Sequence, residues 1–146
     1  MTSKKKVSFG GNYEKMRECD PMGCGHFGAK RGNYKHNGVD LIKSHNDDIY
    51  APFDCKINRF GKPYANDSNY DLVEIVGLGE WSDFRVKLMY VYPMFSVGAT
   101  ILKGQKLCTA QDIELKYGYN SGMQNHIHIE FYKKNKLVNP ENYLKI

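Results

Sequence analysis

The sequence predicts a mainly β protein, a compact antiparallel β-sheet with long loops around one metal site. Segments rich in Val, Ile, Tyr and Phe recur along the chain and are separated by clusters of Gly, Pro, Asn and Asp, which is the pattern of short strands joined by turns. Residues 125–131 alternate polar and apolar side chains, the period of a strand with one buried face. Little of the chain has a helical pattern.

The elements follow in order along the chain. A short strand is expected around Asp40, because Asn37-Gly38 is a strong turn dipeptide and the tract 36–42 is too short for a helix. Further strands are expected at 49–57, extending to about residue 60, and at 72–76, 84–92, 100–110 and 126–132. Polar connections at 61–71, 77–83 and 111–124 would rim a site carried by the sheet.

The length of 146 residues bounds the chain to one domain. We expect a single domain over residues 17–146 after a partly flexible N-terminal extension, residues 1–16. No window approaches 18 apolar residues, so no transmembrane helix is expected. Residues 1–6 lack the apolar stretch of a signal peptide, which leaves two interpretations: a mature secreted chain with an added Met, or a protein that starts here and stays inside the cell.

The formal net charge is +5, and the only tight basic runs are the lysines at 4–6 and Lys133, Lys134 and Lys136. Such a surface could meet sulfated glycans, an acidic receptor face or anionic cell walls, although short lysine runs near the ends of a chain are usually only solvated. No recognised nucleic-acid-binding motif accompanies the charge, so nucleic acid is not an expected partner.

Three side chains form a candidate metal set: His36, Asp40 and His128. Catalytic zinc sites usually take three ligands from His, Asp, Glu or Cys and leave the fourth position for water, so this set suits one zinc ion. In the expected strand at 126–132, His126 and His128 share a face, opposite the apolar residues between them. Either motif alone arises often by chance, so the assignment needs support from the surrounding sequence.

That support comes from the order of several motifs. His-x-Gly-x-Asp at 36–40 is followed by Tyr-Ala-Pro-Phe at 50–53, Gly-x-x-Leu at 104–107, His-x-His-Ile-Glu at 126–130 and Asn-Pro-Glu-Asn-Tyr-Leu at 139–144. Together they resemble the lysostaphin and LytM type of zinc endopeptidase domain. Within that superfamily, the tracts at 17–25, 62–64 and 86–90 are most similar to the family of leukocyte cell-derived chemotaxin 2, a secreted vertebrate protein. The resemblance spans residues 17–144 and implies one zinc ion held by His36, Asp40 and His128.

One departure from the endopeptidase pattern bears on activity. Active members carry another histidine in a Tyr-x-His tract, which assists hydrolysis together with the first histidine of His-x-His, here His126. The corresponding tract is Met-Tyr-Val-Tyr-Pro at 89–93, and aligning Tyr90 with the family tyrosine puts Tyr92 at the histidine position. A phenol, with a pKa of about 10, cannot act as a base at neutral pH but can donate a hydrogen bond. His26 and His45 are less favoured substitutes.

The four cysteines fall into two pairs. Cys19 and Cys24 flank a tight Asp-Pro-Met-Gly loop and are expected to form a local disulfide; no second pair with matching spacing supports a zinc knuckle. Cys55 and Cys108 lie in separate expected strands, where they are either a bridge or two buried thiols. Buried thiols are slightly favoured, because free Cys behaves as a small hydrophobe and bridge geometry is demanding.

Two functional hypotheses remain. The first is a secreted, zinc-binding, catalytically degenerate protein with a metallopeptidase fold that acts as an extracellular signalling or binding factor on a cell-surface receptor or glycan. Secretion is favoured because structural disulfides persist mainly in oxidising compartments. The second is a zinc-dependent endopeptidase that cleaves glycine-rich or peptidoglycan cross-link peptides, with His126 assisting the water and Tyr92 donating to the oxyanion. The missing Tyr-x-His histidine favours the first.

Overall fold

The computed structural model describes residues 6–146, so residues 1–5 of the expected N-terminal extension and most of the first lysine run lie outside the described residues. The strands in chain order are β1 (Lys30–Arg31), β2 (Tyr34–Lys35), β3 (Val39–Ile42), β4 (Asp48–Tyr50), β5 (Cys55–Gly61), β6 (Leu72–Gly77), β7 (Phe84–Met89), β8 (Val91–Pro93), β9 (Thr100–Ile101), β10 (Lys106–Ala110), β11 (His126–Lys133) and β12 (Lys136–Val138). A short helix, α1 (Glu114–Tyr117), and two 3-10 turns (Gly79–Trp81 and Pro140–Asn142) complete the elements of this part of the chain.

All strand pairs are antiparallel, as expected, and most strands belong to one sheet of seven. Six of them follow the order β12-β11-β7-β6-β5-β9, and the seventh, β3, pairs with β11 off this path. β11 lies along β7 on one side. On its other side it pairs with β3 through its first half and with β12 through its second half. β11 therefore brings together segments from the beginning, the middle and the end of the chain.

The alternation in β11 is confirmed, but the strand is more buried than the sequence predicts. The side chains of Ile127, Ile129 and Phe131 are fully buried in the core. The opposite face, with His126, His128 and a glutamate, is also buried, with exposed fractions of 4%, 7% and 7%. Loops that the alternation cannot reveal cover this polar face.

A second sheet of three strands, in the order β4-β10-β8, arises because three of the expected strands are each divided. The expected strand at 49–57 becomes β4 in the small sheet and β5 in the large one. The expected strand at 84–92 becomes β7 and β8, and that at 100–110 becomes β9 and β10, with the same division between the two sheets. Each of the three divided strands thus takes the chain from one sheet to the other.

Each crossing has a local cause. Pro52 lies between β4 and β5 and has no amide proton to give to a strand ladder. Tyr90, between β7 and β8, has a φ of 69°, which turns the strand out of its sheet. Gly104 has a φ of 83° in the turn between β9 and β10, a conformation that glycine adopts without strain. Single backbone positions therefore decide which sheet each half of a strand joins.

The main core lies between the sheets and includes residues before the expected domain boundary at 17. Val7 and Phe9 are buried in it, and Val7 pairs with Leu144. An aromatic group closes one end of the core, where the Trp81 ring stacks on Phe53 at 4.7 Å between ring centroids. Within residues 6–146, no helix is long and apolar enough to cross a membrane.

The cysteines behave as two different pairs. Cys19 and Cys24 form a disulfide, as the sequence predicts. Cys55 and Cys108 are free and fully buried in the main core, in agreement with the favoured expectation of buried thiols. Burial raises the pKa of the Cys55 thiol to about 12 and also raises that of Cys108. Both are therefore neutral apolar packing residues.

Candidate metal centre

The pairing of β3 with β11 builds the centre. Asp40 lies directly opposite His128 in the register, so the two side chains project from neighbouring strands on the same face of the sheet. His36 precedes β3 by one tight turn, in which Gly38 is needed because a Cβ there would lie 2.0 Å from the carbonyl oxygen of Ile129. This close approach folds His36 back over β11.

The three predicted ligands converge on one point. His36 Nε2 lies 3.0 Å from His128 Nδ1 and 3.2 Å from Asp40 Oδ1, and His128 Nδ1 lies 3.0 Å from the same oxygen. All three side chains are buried. Three ligand atoms so close together, one of them an anionic oxygen, form a group that could hold a metal ion.

Each ligating histidine is oriented by its other ring nitrogen. His36 Nδ1 lies 3.0 Å from the carbonyl oxygen of His26, so it carries the proton and donates it there. His128 Nε2 lies 2.9 Å from Glu130 Oε2, which accepts its proton in the same way. Tyr132 in turn donates to the other oxygen of Glu130 over 2.7 Å. With these acceptors in place, His36 Nε2 and His128 Nδ1 could each offer a lone pair to an ion between them and Asp40, the arrangement usual around bound metals.

Two arginines contact the second carboxylate oxygen of Asp40. Arg17 Nη1 donates to Asp40 Oδ2 over 2.7 Å, and Arg31 Nη2 lies 3.6 Å from the same oxygen. Oδ2 is thereby occupied by guanidinium groups, while Oδ1 faces the two imidazoles. The two carboxylate oxygens have separate partners, which fixes the plane of the carboxylate.

The electrostatics of the group favour a cation. Burial lowers the pKa of His128, but its hydrogen bonds to Asp40 and Glu130 outweigh burial and raise that pKa to about 9. Burial opposes ionisation of Asp40, yet hydrogen bonds from His128 and His36 hold its pKa well below its usual range. Without a metal, His128 is therefore protonated at neutral pH and pairs with the ionised Asp40, so a proton lies where a metal ion could bind.

His126 lies beside this group, as the strand alternation predicts. Its Nε2 is 3.7 Å from Asp40 Oδ2, and its Nδ1 lies 2.8 Å from the carbonyl oxygen of Gln124, to which it donates. Burial lowers its pKa despite the neighbouring carboxylate. A neutral imidazole with a free Nε2 therefore faces the centre.

The structure corrects the expectation for Tyr92. Its hydroxyl lies 3.3 Å from His45 Nε2, and its side chain is 40% exposed outside the cleft over the metal centre. Tyr90 instead lines that cleft, with its ring 5.8 Å from the His126 ring. The cause is the positive φ of Tyr90, which changes the alternation of side chains where β7 ends. The sequence alignment assumed a regular strand through residue 92.

The two other histidines considered as substitutes do not join the group. His26 is exposed and contributes its backbone carbonyl to His36, and His45 contacts Tyr92. Sequence reasoning missed Glu130, Arg17 and Arg31. Glu130 could have been found, because it follows His128 by two residues and so shares its face of the strand. The two arginines come from the segment before β3, with Arg31 in β1, and carried no comparable signal.

A cleft of about 460 Å³ lies over the centre. Tyr64 and Tyr90 stack on one wall with ring centroids 5.7 Å apart, and the Tyr64 hydroxyl donates to the Tyr90 hydroxyl over 3.2 Å. The Tyr117 hydroxyl lies 2.9 Å from that of Tyr64. Tyr34 lines another part of the cleft and is 68% exposed. The metal group is thus at the base of an open, tyrosine-rich cleft.

Two of the known proteins with related sequences have the same name, and a third has another. No family model matches the chain. Leukocyte cell-derived chemotaxin-2 of Bos taurus is 38% identical over 125 residues, which cover 85% of this chain and 78% of the relative. Leukocyte cell-derived chemotaxin-2 of Mus musculus is 38% identical over 116 residues, with 79% and 72% covered. Myeloid protein 1 of Gallus gallus is 36% identical over 128 residues, 85% of this chain and 37% of the relative.

Solved structures with the same fold include peptidases. The catalytic domain of lysostaphin from Staphylococcus simulans superposes with a TM-score of 0.61, 19% identity, and 84% and 90% of the two chains covered. A zinc-containing peptidase from Vibrio cholerae gives a TM-score of 0.58 and 19% identity, with 88% of this chain and 39% of that chain covered. At these identities the likeness shows the fold, which is the lysostaphin-like peptidase fold predicted from the sequence.

Proposed function

This chain belongs to the leukocyte cell-derived chemotaxin-2 family, and from that premise we propose that it is a zinc-binding extracellular protein that acts by binding a partner rather than by hydrolysing a substrate. The metallopeptidase fold supplies the zinc ligands, His36, Asp40 and His128. The observation that carries the proposal is that His126 is the one imidazole outside the ligand pair among the residues that line the cleft, while Tyr92, at the position where active peptidases are expected to carry a histidine, lies outside it.

The ligand group fits zinc. Bonds of about 2.0–2.1 Å in a tetrahedron place neighbouring ligand atoms about 3.3 Å apart. The corresponding separations among His36, Asp40 and His128 are 3.0 to 3.2 Å. Two imidazoles and one carboxylate also suit zinc better than calcium or magnesium, which prefer oxygen ligands. When bound, zinc would supply a Lewis acid at the base of the cleft and tie the turn before β3 to β11.

The surroundings of the ligands argue against efficient turnover. Burial raises the pKa of Tyr90, so its phenol stays protonated at neutral pH and cannot act as a base. Its hydroxyl accepts a hydrogen bond from Tyr64, which leaves its own proton free to donate. His126 is then the one imidazole beyond the ligand pair among the residues that line the cleft. Loss of one stabiliser of the transition state typically costs about 100- to 1000-fold in rate.

The extracellular assignment is supported by the Cys19–Cys24 disulfide, since structural disulfides persist mainly in oxidising compartments. The partner we propose is a cell-surface receptor or a glycan. Exposed aromatic side chains such as Tyr34 and Tyr117, which are 68% and 40% exposed at the cleft, are the kind that anchor protein and carbohydrate partners.

A zinc endopeptidase acting on glycine-rich or peptidoglycan cross-link peptides is the alternative, and one observation favours it. His126 is neutral, has a free Nε2 and faces an open cleft, so it could take a proton from an attacking water. Tyr90 would then donate a hydrogen bond to the oxygen of the scissile carbonyl. This replaces Tyr92, which lies outside the cleft, in that role.

The two functions are separated by one experiment. A panel of glycine-rich and peptidoglycan-derived peptides is incubated with zinc-loaded protein and with the His128→Ala variant, and the zinc content of both samples is measured. Zinc in the parent, less zinc in the variant, and cleavage by neither is the result we expect. Zinc-dependent cleavage by the parent that is lost in the variant would establish the peptidase instead.

A further inference from the structure

Arg17 connects the metal centre to the only disulfide that the described residues contain. Its side chain is buried, and its guanidinium group is shared between two carboxylates. Nη1 donates to Asp40 Oδ2 over 2.7 Å, while Nε and Nη2 donate to the two oxygens of Asp20 over 3.0 and 2.8 Å. Asp20 lies inside the loop that the disulfide closes, so one guanidinium group links the metal ligand to this loop.

Hydrogen bonds and the disulfide restrain the loop between Cys19 and Cys24. Asp20 and Gly23 pair with each other through two backbone hydrogen bonds of 3.0 and 2.9 Å. The carbonyl oxygen of Gly23 accepts a further hydrogen bond from Arg17 Nη2 over 3.1 Å. A disulfide across this turn limits the conformations available to Asp20 and Gly23.

A second arginine, Arg31, also links Asp40 to the disulfide loop. Arg31 Nη2 donates to the carbonyl oxygen of Cys24 and lies 3.6 Å from Asp40 Oδ2. Its guanidinium group passes so close to Gly23 that a Cβ there would lie 2.7 Å from Nη1. Both cations that contact the outer oxygen of Asp40 are therefore anchored on the disulfide loop.

The backbone of Asp40 is tied to the same segment. Its amide donates to the carbonyl oxygen of Gly25 over 2.8 Å, and its carbonyl oxygen accepts from the amide of Arg17 over 2.8 Å. A Cβ at Gly25 would lie 2.5 Å from the carbonyl oxygen of Arg17, so the chain before the loop and the chain after it are in direct contact. The loop thus fixes Asp40 through both its side chain and its backbone.

We propose that the Cys19–Cys24 loop positions Asp40 for metal binding, with Arg17 as the main positioning residue and Arg31 as the second. The inference rests on the proposed zinc-binding function and assigns a role to residues that are not ligands. With Oδ2 held by the arginines, Oδ1 is presented to the point where His36 and His128 converge. Changes to groups that orient metal ligands typically lower metal affinity about 10- to 100-fold.

The test compares zinc affinity with the stability of the metal-free protein. Affinity is measured by competition with a chromogenic chelator, and the melting temperature is measured in EDTA. The variants are Arg17→Met, Arg31→Met and the double variant Cys19→Ser/Cys24→Ser, which opens the loop without creating free thiolate ligands. Arg59→Met is the control, because Arg59 also pairs with a buried carboxylate, Glu74, over 3.3 Å but lies outside the set that lines the cleft.

We expect the dissociation constant for zinc to rise at least about tenfold in Arg17→Met and in the double Cys variant and to rise less in Arg31→Met. In Arg59→Met it should stay within twofold of the parent value. If the loop contributes only to stability, the variants will have a lower melting temperature in EDTA than the parent but the same zinc affinity. That result would overturn the proposal.

Partial rescue of affinity by Arg17→Lys, which keeps one charge but loses the planar fork, would support a positioning role for the cation. Should Arg17→Met fail to fold, the more exposed Arg31 and the double Cys variant decide the question by the same two measurements. A parent protein that binds no zinc would overturn the proposed function itself, whereas normal zinc affinity in every variant would overturn only this inference.

Discussion

At the scale of single residues, the balance between binding and hydrolysis depends on which side chain stands beside His126. Tyr90 takes that place because its positive φ ends β7 and turns its ring into the cleft, where it stacks on Tyr64. Tyr92, two residues further, faces His45 on the outside. The two tyrosines are chemically identical but differ completely in surroundings, so they form a natural pair for substitution.

We predict that Tyr90→His introduces peptide hydrolysis and that Tyr92→His does not. A histidine at position 90 would put a second titratable imidazole beside the metal group, and the gain corresponds to the roughly 100- to 1000-fold effect of a single transition-state stabiliser. Release of fragments from a fluorogenic glycine-rich peptide, with zinc content matched between the variants, measures this. Equal activity in both variants would show that position 90 has no special role.

The two buried thiols allow a second prediction at this scale. Cys55 and Cys108 are fully buried, and burial raises the pKa of Cys55 to about 12. The thiolate is the reactive form, so neither residue should react with iodoacetamide at pH 8 in the native protein. Mass spectrometry should detect two alkylated cysteines only after denaturation. Rapid alkylation of the native state would contradict the packing described for the core.

At the scale of elements, the approach of the turn at Gly38 to β11 controls where Asp40 lies. Any Cβ at position 38 meets the carbonyl oxygen of Ile129 at 2.0 Å, and backbone cannot move aside as a side chain can. We predict that Gly38→Ala lowers the free energy of unfolding by about 3 kcal/mol, in the range of severe overpacking. Chemical denaturation measures the change, and the exposed neighbour in Asn37→Ala should stay within about 0.5 kcal/mol of the parent.

The large sheet also carries a buried carboxylate, Glu74, two strands away from β11 in the sheet order. Glu74 in β6 pairs with Arg85 at 2.8 Å and Arg59 at 3.3 Å. Burial would raise its pKa, but the hydrogen bonds from Arg85 and Asn58 outweigh burial and lower it below the ordinary value of 4.5. A lowered folded-state pKa means that the stabilisation is present above pH 4.5 and is lost as the pH falls through the folded-state value.

We therefore predict that Glu74→Gln is less stable than the parent at pH 7 and that the two converge on acidification. Denaturant unfolding at several pH values from 7 down to 3 measures the difference. Zinc is kept absent throughout, so that loss of metal does not contribute. A stability difference that stays constant with pH would mean that the ion pairs contribute little and that Gln disturbs the packing instead.

The elements also show how far sequence reasoning reaches. Alternation in 126–131 predicts β11 and its two faces, and the ligand set follows from residue type and motif order. Pro52 and Gly104 are turn or breaker residues that the sequence shows, but the apolar pattern is continuous through Tyr90, and the sheet that each half of a divided strand joins could not be predicted. It depends on backbone angles and on packing against segments distant in sequence. The misplacement of Tyr92 is a direct result of one such bend.

At the scale of the whole molecule, zinc should act as a stabilising ligand of the folded state. His36 and His128 come from distant parts of the chain, so the complete ligand group exists only after folding. With free zinc at 100 times its dissociation constant, linkage predicts about 2.7 kcal/mol of added stability. We expect a corresponding rise of roughly 5–10 °C in the melting temperature.

Two histidine variants check this effect. His36→Ala should abolish the rise on adding zinc, because it removes one ligand, whereas His45→Ala should preserve it, because His45 lies on the surface beside Tyr92. Differential scanning calorimetry with zinc and with EDTA gives both values. A zinc-dependent rise that persists in His36→Ala would place the stabilising metal at another site.

The separation of the ligands along the chain has a mechanical consequence. An ion held by both His36 and His128 would bridge positions 92 residues apart and so enclose most of the chain in a single loop. If the protein is stretched from its two ends, the force passes through that bridge, and the enclosed segment cannot extend until the bridge breaks. The hidden length amounts to roughly 300 Å of extended chain. Zinc would then determine whether the molecule lengthens under load in one event or in two.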